Sequence, residues 1–242
     1  MKTFRIFILA LILLMTTNCK LAFRALLGVD VSPDFITDKK IDRKAKRYGI
    51  PKESLFTLDL GTYGDSILAI RDYKINELEL DDSLLIQRIK NNAKNDVQPV
   101  QVRYFNSEGE SIFKMVNCFI DPPIPMKWNV DGSLDEFPPK PIDELKEDID
   151  HDLTFFLPMI TDREGNKITL QDIPEATHYA IVFWNNFFIR PSKRLIRQIR
   201  RYDRKKGEGK TYFLFVNNHN AHLFNYLSDE DKIKVIEELE KN

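Results

Sequence analysis

The sequence predicts an α/β protein, because strand-like and helix-like segments alternate along most of its length. Two apolar runs, residues 179–184 and 211–216, have the length and composition of buried strands. A helix predicted from Pro191 to about Lys205 separates them. Hydrophobic residues make up 43% of the 242 residues, so the chain can bury a substantial core.

The composition also excludes several classes of protein. With 9 Gly and no long heptad pattern, the chain is neither collagen-like nor a coiled coil. Two Cys are too few for a disulfide-rich scaffold or a four-Cys zinc site. A formal net charge of −1 gives no overall field that attracts nucleic acid, and no nucleotide-binding loop or Ser/His/Asp triad stands out. We therefore predict no nucleic-acid partner, no cofactor, no metal and no catalytic residue.

Residues 1–18 have the pattern of a secretory signal peptide. Lys2 and Arg5 precede an apolar run at residues 6–15, which is too short for a membrane span of about 20 residues. Cys19 follows a short polar stretch, and this position resembles the lipobox of bacterial lipoproteins, in which the signal is cut before a Cys that carries a diacylglycerol. Asn18 and Thr16 depart from the residues usual there, so an ordinary cleaved signal with an unrelated Cys is the alternative.

The lipoprotein resemblance implies that Cys19 is lipidated and anchors the chain in the cell envelope. Two acyl chains hold a protein stably where one does not. Lys20 is not the Asp that marks inner-membrane retention in this class. The resemblance therefore implies the outer membrane, facing the periplasm, with residues 19–34 as a tether.

Residues 35–120 form the first predicted α/β segment. Residues 37–47 are a charged helix that Gly49 ends. Asp81 or Asp82 can cap a second helix that runs to about Asn92. The predicted strands are residues 55–58 and a hairpin made of residues 100–105 and 111–117.

Residues 121–142 form a proline-rich linker or arm. Six of the 12 Pro lie there, and proline both stiffens a chain and prevents its pairing as a central strand. Trp128 and Phe137 are unusual in a free linker, so we expect both side chains to pack on a domain.

Residues 143–242 form the last predicted segment. It begins with a hairpin of residues 155–160 and 167–170 around a turn at residues 162–166, and continues with the two buried strands and the helix between them. Ser228 and Asp231 have the spacing of a capping box for a final helix to about Glu240.

Residues 156–217 resemble the thioredoxin-like domain of membrane-anchored thiol–disulfide oxidoreductases and peroxiredoxins. That family has an early hairpin, a strand that ends in Phe-Trp before the redox helix, and a second strand that ends in Val-Asn. The residues that carry the resemblance are Leu157-Pro158, Asp162, Gly165-Asn166, Ile168-Thr169-Leu170, Ala180 to Trp184, Pro191-Ser192-Lys193 and Phe215-Val216-Asn217. The resemblance implies a thioredoxin-like α/β sandwich, with a central mixed sheet and helices on both faces.

The redox pair of that family is absent. Phe188 or Ile189 stands where the attacking Cys would be, and Ser192 stands where the resolving Cys would be. Dithiol exchange needs a thiolate, which an apolar side chain cannot supply and a Ser hydroxyl does not form unassisted. The sequence therefore excludes dithiol–disulfide exchange at this motif.

A second resemblance lies earlier in the chain than the family would place it. Gln98-Pro99 and the strand that follows resemble the family's cis-Pro strand and hairpin, which normally come after the second strand and helix. Two alternatives follow from this order. Either the N-terminal half completes one permuted sheet, or each half is a reduced thioredoxin-like unit.

The predicted function is that of a non-catalytic binding or assembly module. Its candidate face comprises Asn185, Asn186, Arg190 and Ser192, where the family meets substrate, and Pro99 if the permuted sheet is right. A purely structural lipoprotein is one alternative. The other is a single-thiol redox enzyme that uses Cys118, although a lone Cys at a strand end is usually a small buried side chain.

The helix that starts near Pro191 is strongly basic. Residues 190–210 carry ten basic side chains against two acidic ones, and Arg197, Arg200 and Arg201 are among them. This surface would dock on an acidic protein, an anionic lipid or a glycan. Residues 131–152 carry nine acidic side chains against two basic ones, so the alternative is that this arm folds back onto the helix.

Overall fold

The computed structural model describes residues 28–30, 34–77, 81–116, 128–129, 132–140 and 151–239. The predicted signal peptide, the predicted lipidation site Cys19, the single-thiol candidate Cys118 and residues 141–150 of the predicted acidic arm lie outside these residues.

Six strands form one mixed sheet. The strands are β1 (Leu55–Leu58), β2 (Gln101–Asn106), β3 (Ser111–Val116), β4 (Ile160–Thr161), β5 (His178–Trp184) and β6 (Thr211–Asn217). Their order in the sheet is β3-β2-β5-β6-β1-β4. Strands β5, β6 and β1 are parallel neighbours, and the other three strands pair antiparallel at the two sides.

Seven α-helices accompany the sheet in the described residues. They are α1 (Asp38–Tyr48), α2 (Thr62–Asp72), α3 (Ser83–Asp96), α4 (Leu153–Phe156), α5 (Ile189–Tyr202), α6 (His219–Phe224) and α7 (Asp229–Leu239). Helices α2 and α5 each continue into a π-helical turn, Tyr73–Glu77 and Asp203–Gly207. The local signals are those the sequence carries: Gly49 ends α1 at φ 75°, and the Asp82 carboxylate accepts hydrogen bonds from the first amides of α3.

Each face of the sheet has its own hydrophobic core. Helices α1 and α5 cover one face, where Ile41 and Ile199 are buried in the same core as Trp184. Helices α2, α3, α4 and α6 contribute to the other core, where Ile67 and Phe156 pack near Phe183. The structure is therefore an α/β sandwich with helices on both faces, as the sequence predicts.

The sheet joins the two halves of the chain. β5 pairs with β2 of the first half from Gln101↔Phe183 to Asn106↔His178, and β6 pairs with β1. Of the two arrangements left open by the sequence, this is the one in which the N-terminal half completes a single sheet.

The expected cis bond at Pro99 is not found. Among the described residues the only cis peptide bond joins Phe137 to Pro138, so Pro99 follows a trans bond. The carbonyl of Pro99 accepts hydrogen bonds from the amides of Asn185 and Asn218, which fix the entry to β2.

The hairpin predicted at residues 155–170 is largely wrong. Residues 153–159 are helical, strand pairing is confined to β4 and an isolated bridge between Thr161 and Lys167, and residues 170–172 form a 3₁₀ turn. Pro158 has no amide to donate to a strand partner. The Asp162 carboxylate accepts hydrogen bonds from the amides of Glu164 and Asn166, which closes the turn within a few residues.

The described part of the proline-rich arm lies along α5. Trp128 is buried, and its indole Nε1 donates to the carbonyl of Pro191 at 3.3 Å. Phe137 packs against Tyr202 with ring centroids 5.6 Å apart, and the Tyr202 hydroxyl donates to the carbonyl of Glu136 at 2.6 Å. Both aromatic side chains therefore pack on the domain, as the sequence predicts.

A charged pair is buried where α3 meets β2. The Arg103 guanidinium is fully buried and lies 2.5 Å from the carboxylate of Asp96. Lys114 is 3.5 Å from the same carboxylate, and the amide of Gln101 donates to the backbone carbonyl of Asp96. Burial favours the neutral acid, but Arg103 and Lys114 outweigh it and lower the pKa of Asp96.

Candidate functional site

The parallel strands β1, β6 and β5 end on the same edge of the sheet, at Leu58, Asn217 and Trp184. Ligands of open α/β sheets bind outside this edge, where the loops after the strands leave a crevice. Most of the predicted face, Asn185, Asn186, Arg190 and Ser192, follows β5 there.

A buried amide network joins the predicted residues. The Asn185 side-chain nitrogen donates to the carbonyl of Pro99 at 3.3 Å and lies 3.4 Å from the side-chain oxygen of Asn218. Asn218 donates to the same carbonyl at 2.9 Å. The structure thus brings Asn185 and Pro99 together, although 86 residues separate them in the chain.

Ser192 and Phe188, two of the residues predicted to stand in place of redox cysteines, form hydrogen bonds with Asn185. The Ser192 hydroxyl is fully buried, accepts from the amide of Asn185 at 3.2 Å and donates to its carbonyl at 3.1 Å. Phe188 stands at the N-cap of α5, and its amide donates to the Asn185 side-chain oxygen at 2.7 Å. These hydrogen bonds hold the loop after β5 in place. The residues that make them, Asn185, Ser192 and Pro99, are buried and are not exposed to a ligand.

A cleft of about 210 Å³ opens beside this network. It lies between α2, α6 and α7, below the end of β1, and Asn218 belongs both to the cleft and to the buried network. Its apolar lining is Leu58, Tyr63, Gly64, Leu68, Val97 and Ala221, and its polar lining is Asp65, Asn218, His222, Asn225, Tyr226 and Lys232. An apolar wall with a few convergent polar groups is the usual construction of a small-molecule site.

Gly64 leaves space on α2 for the side chain of Asn225. A Cβ at this position would lie 2.6 Å from the amide nitrogen of Asn225, which is closer than such atoms approach. Because Gly64 has no side chain, the side-chain amide of Asn225, at the end of α6, can reach the cleft.

His222 is a neutral imidazole in the lining of the cleft. Burial, and secondarily the proximity of His219, lower its pKa to about 4. Its ring stacks on Phe187, with centroids 5.2 Å apart, and meets Tyr226 edge-on at 5.1 Å. At neutral pH it can therefore offer both a donor and an acceptor nitrogen to a ligand.

His219 has a structural role instead. Its Nε2 lies 2.9 Å from the carbonyl of Asp34, and the neighbouring Asn220 exchanges two hydrogen bonds with the backbone of Ile36. Burial lowers the pKa of His219. These bonds fasten the segment before α1 to α6, and within the described residues no three His, Cys, Asp or Glu side chains cluster as a metal site would require.

Two charged side chains of opposite sign flank the cleft. Asp65 is exposed on α2, and Lys232 is half-buried on α7, 5.8 Å above the ring of Phe224 and 3.7 Å from Asp229. An ionic group on a ligand would therefore find either a carboxylate or an ammonium at the rim.

The predicted basic residues of α5 have different surroundings. Arg197 and Arg201 are exposed, whereas Arg200 is half-buried and donates to the carbonyl of Gly49 at the end of α1. The amide of Arg190 donates to the carbonyl of Gly28 at 3.2 Å. Only Arg197 and Arg201 thus point away from the fold, and Arg200 is part of the packing between α1 and α5.

The cleft itself could not be predicted from the sequence. The sequence analysis predicts neither helix α2 nor helix α6. The side chains of the cleft come from five separate stretches of chain, which tertiary packing alone brings together. The one local signal was the run of asparagines after β6, of which Asn218 joins the network and the cleft.

No known protein-family model, curated protein or solved structure shows significant similarity to the chain. None of the described helices has both the length and the apolar character that crossing a bilayer requires.

Proposed function

We propose that this protein is an envelope lipoprotein whose thioredoxin-like domain binds a small ligand without redox chemistry. The observation that carries the proposal is the cleft of about 210 Å³ at the carboxyl end of the parallel strands, with neutral His222, Asn218 and Asn225 among apolar walls. Its volume suits a ligand smaller than a typical drug.

The sheet order supports a thioredoxin-like scaffold. Three parallel strands are followed by the antiparallel hairpin of β2 and β3, with α5 starting directly after β5. The hairpin comes earlier in this chain than in the family, so the scaffold is a permuted version. Because Phe188 or Ile189 stands in place of the attacking Cys, and Ser192 in place of the resolving Cys, binding is the activity such a scaffold retains.

The lipid anchor is the second part of the proposal. Its support is the ten-residue apolar run followed by Cys19, which lies outside the described residues. Envelope location and an outer-membrane, periplasm-facing orientation follow from the lipoprotein resemblance.

Photo-crosslinking in the native envelope tests the binding function. A benzophenone amino acid replaces Tyr226, which lines the cleft and is 76% exposed, and the mass of the modified peptide identifies what it captures. The matched control is Tyr73, which is 57% exposed at the end of α2 and does not line the cleft. We expect one small-molecule adduct at Tyr226 and none at Tyr73.

Two further results decide between this function and its rivals. Cys118→Ser should leave the adduct at Tyr226 unchanged, because binding needs no thiol; loss of the adduct would favour a single-thiol enzyme. The same background adducts at both positions, or none at either, would mean that the cleft holds no ligand, and would favour a structural lipoprotein.

A further inference from the structure

Helix α5 carries a straight line of basic side chains on its outer side. Lys193, Arg197, Arg201 and Lys205 follow one another at intervals of four residues along α5 and its π-helical continuation. Residues four apart are neighbours on a helix surface, so these side chains form one ridge. Arg197, Arg201 and Lys205 are exposed and Lys193 is half-buried. We call this surface the basic ridge.

The other sides of α5 are occupied. Leu195, Ile196 and Ile199 are fully buried against the sheet, and Arg200 contacts the end of α1. The arm covers Pro191 and Tyr202. Among the described residues, Arg197, Arg201 and Lys205 of the basic ridge are therefore left exposed to solvent.

No acidic side chain in the described ranges forms an ion pair with the basic ridge. Like charges four residues apart destabilise a helix when nothing compensates them. An anionic partner outside the described fold would remove this cost.

The start of the described chain is fastened to the same helix. Gly28 accepts from the amide of Arg190, Asp30 donates to the carbonyl of Phe187 at 2.8 Å, and Val29 forms a bridge with Phe188. Gly28 is nine residues after Cys19, a length of chain that spans about 30 Å at most. An acyl group on Cys19 therefore keeps the first turn of α5 within about 30 Å of the bilayer.

We propose that the basic ridge docks on the anionic headgroups of the membrane that holds the lipid anchor. This inference rests on the anchor given under Proposed function and is independent of the cleft. A polybasic surface next to an acyl anchor supplies the second signal that strengthens membrane attachment. Docking fixes the orientation of the domain, with α5 towards the membrane.

Energy transfer from tryptophan to a dansyl-labelled lipid measures this docking. The only two Trp lie near α5, since Trp128 contacts Pro191 and Trp184 ends the strand before the helix. The purified lipidated chain is reconstituted in phosphatidylcholine vesicles with or without phosphatidylglycerol. We expect greater transfer on the anionic vesicles, and its loss at about 1 M salt, where the screening length falls to about 3 Å.

Charge removal locates the docking surface. Arg197→Gln with Arg201→Gln should lower the ratio of docked to undocked protein about 25-fold, since each basic side chain at an anionic surface contributes a factor of about five. The matched control is Lys90→Gln with Lys94→Gln, an exposed pair with the same spacing on α3, which packs on the opposite face of the sheet. The control should retain the wild-type ratio.

Three outcomes would overturn the docking proposal: equal transfer on neutral and anionic vesicles, equal loss in the two double variants, or no effect of salt. Flotation of the protein with neutral vesicles tests the lipid anchor separately, because a chain without a lipid would not float with them. In that case flotation with anionic vesicles alone, and its loss in the Arg197 and Arg201 variant, decides whether the basic ridge binds the lipid.

Discussion

Asp96 shows how a single buried carboxylate holds an element in place. It lies at the end of α3, is only 4% exposed, and meets the fully buried guanidinium of Arg103 at 2.5 Å. A buried ion pair adds little beyond a hydrophobic pair, but removing one partner leaves the other charge buried without its counterion. We predict that Asp96→Asn lowers the free energy of unfolding by about 3 kcal/mol or more, as measured by urea denaturation.

The control for this prediction lies at the other end of the same helix. Asp82 is exposed and caps α3 with two hydrogen bonds, so Asp82→Ala should cost only about 1 kcal/mol. Equal costs at the two ends would show that Asp96 acts only through the helix terminus. Because the pKa of Asp96 is lowered, its contribution is present above the unfolded value of 3.8 and disappears as the pH falls below it.

His222 makes stability depend on pH in the same direction for a different reason. Its pKa is about 4 in the folded protein, against the ordinary histidine value of 6.5 in the unfolded chain, so between these values only the unfolded chain binds the proton. Stability is therefore lost as the pH falls from about 6.5 to about 4. After allowance for partial exposure we expect a loss on the order of 2 kcal/mol from this residue.

The comparison that measures this loss uses His222→Gln, which cannot titrate. Between about pH 7 and about pH 4 the wild type should lose on the order of 2 kcal/mol more than the variant. His219 titrates in both proteins, so its own contribution largely cancels, and only its repulsion with a protonated His222 remains in the difference. Parallel stability curves for the two proteins would contradict a buried, neutral His222.

At the scale of elements, the helices and strands that the sequence predicts correctly are those specified by local signals rather than by tertiary contacts. Strand β5 and helix α5 lie within one or two residues of the predicted starts, because a continuous apolar run and a proline in the first helical turn are local signals. The predicted strand at residues 155–160 became helical, since only a short partner at Thr161 and Lys167 was available to pair. Helix α2 has a weakly amphipathic sequence and takes its place from contacts such as Tyr63 with the carbonyl of Asp96.

The attachment of residues 28–30 to α5 can be tested at one glycine. Gly28 has φ +67°, and a Cβ added there would collide with the Cβ of Arg190. Gly28→Ala should therefore break two hydrogen bonds, from the amide of Arg190 to the carbonyl of Gly28 and from the amide of Asp30 to the carbonyl of Phe187. Hydrogen exchange should become faster at the amides of Arg190 and Asp30, while the core stays protected.

Gly165 is the matched control for that substitution. It has the same left-handed conformation, with φ +86°, but nothing lies within 4 Å of an added Cβ. Gly165→Ala should carry the conformational cost alone and leave exchange at Arg190 unchanged. Faster exchange in both variants would show that backbone strain, rather than contact with α5, explains the result.

At the scale of the whole molecule, the sequence left the arrangement of the halves open. Every strand except β4 is recognisable in the sequence. No local signal, however, indicates that β2 pairs with β5 across more than 70 residues, or that β1 pairs with β6 across more than 150. The cleft depends on the same long-range pairing, because Leu58 is the last residue of β1 and Asn218 follows β6. Asn185 and Pro99, which could be singled out from the sequence because they lie beside recognisable strands, form the buried network behind the cleft and do not line it.

This pairing predicts that neither half folds alone. In a fragment of residues 143–242, β5 would lose all six paired positions with β2, and β6 would lose its pairing with β1. An unpaired central strand exposes buried backbone groups and a hydrophobic face, which costs more than the remaining contacts supply. We expect the fragment to lack cooperative thermal unfolding by circular dichroism, and its mixture with residues 19–142 to recover it. A fragment of residues 143–242 that unfolds cooperatively by itself would contradict the prediction and show that this half folds without β1 and β2.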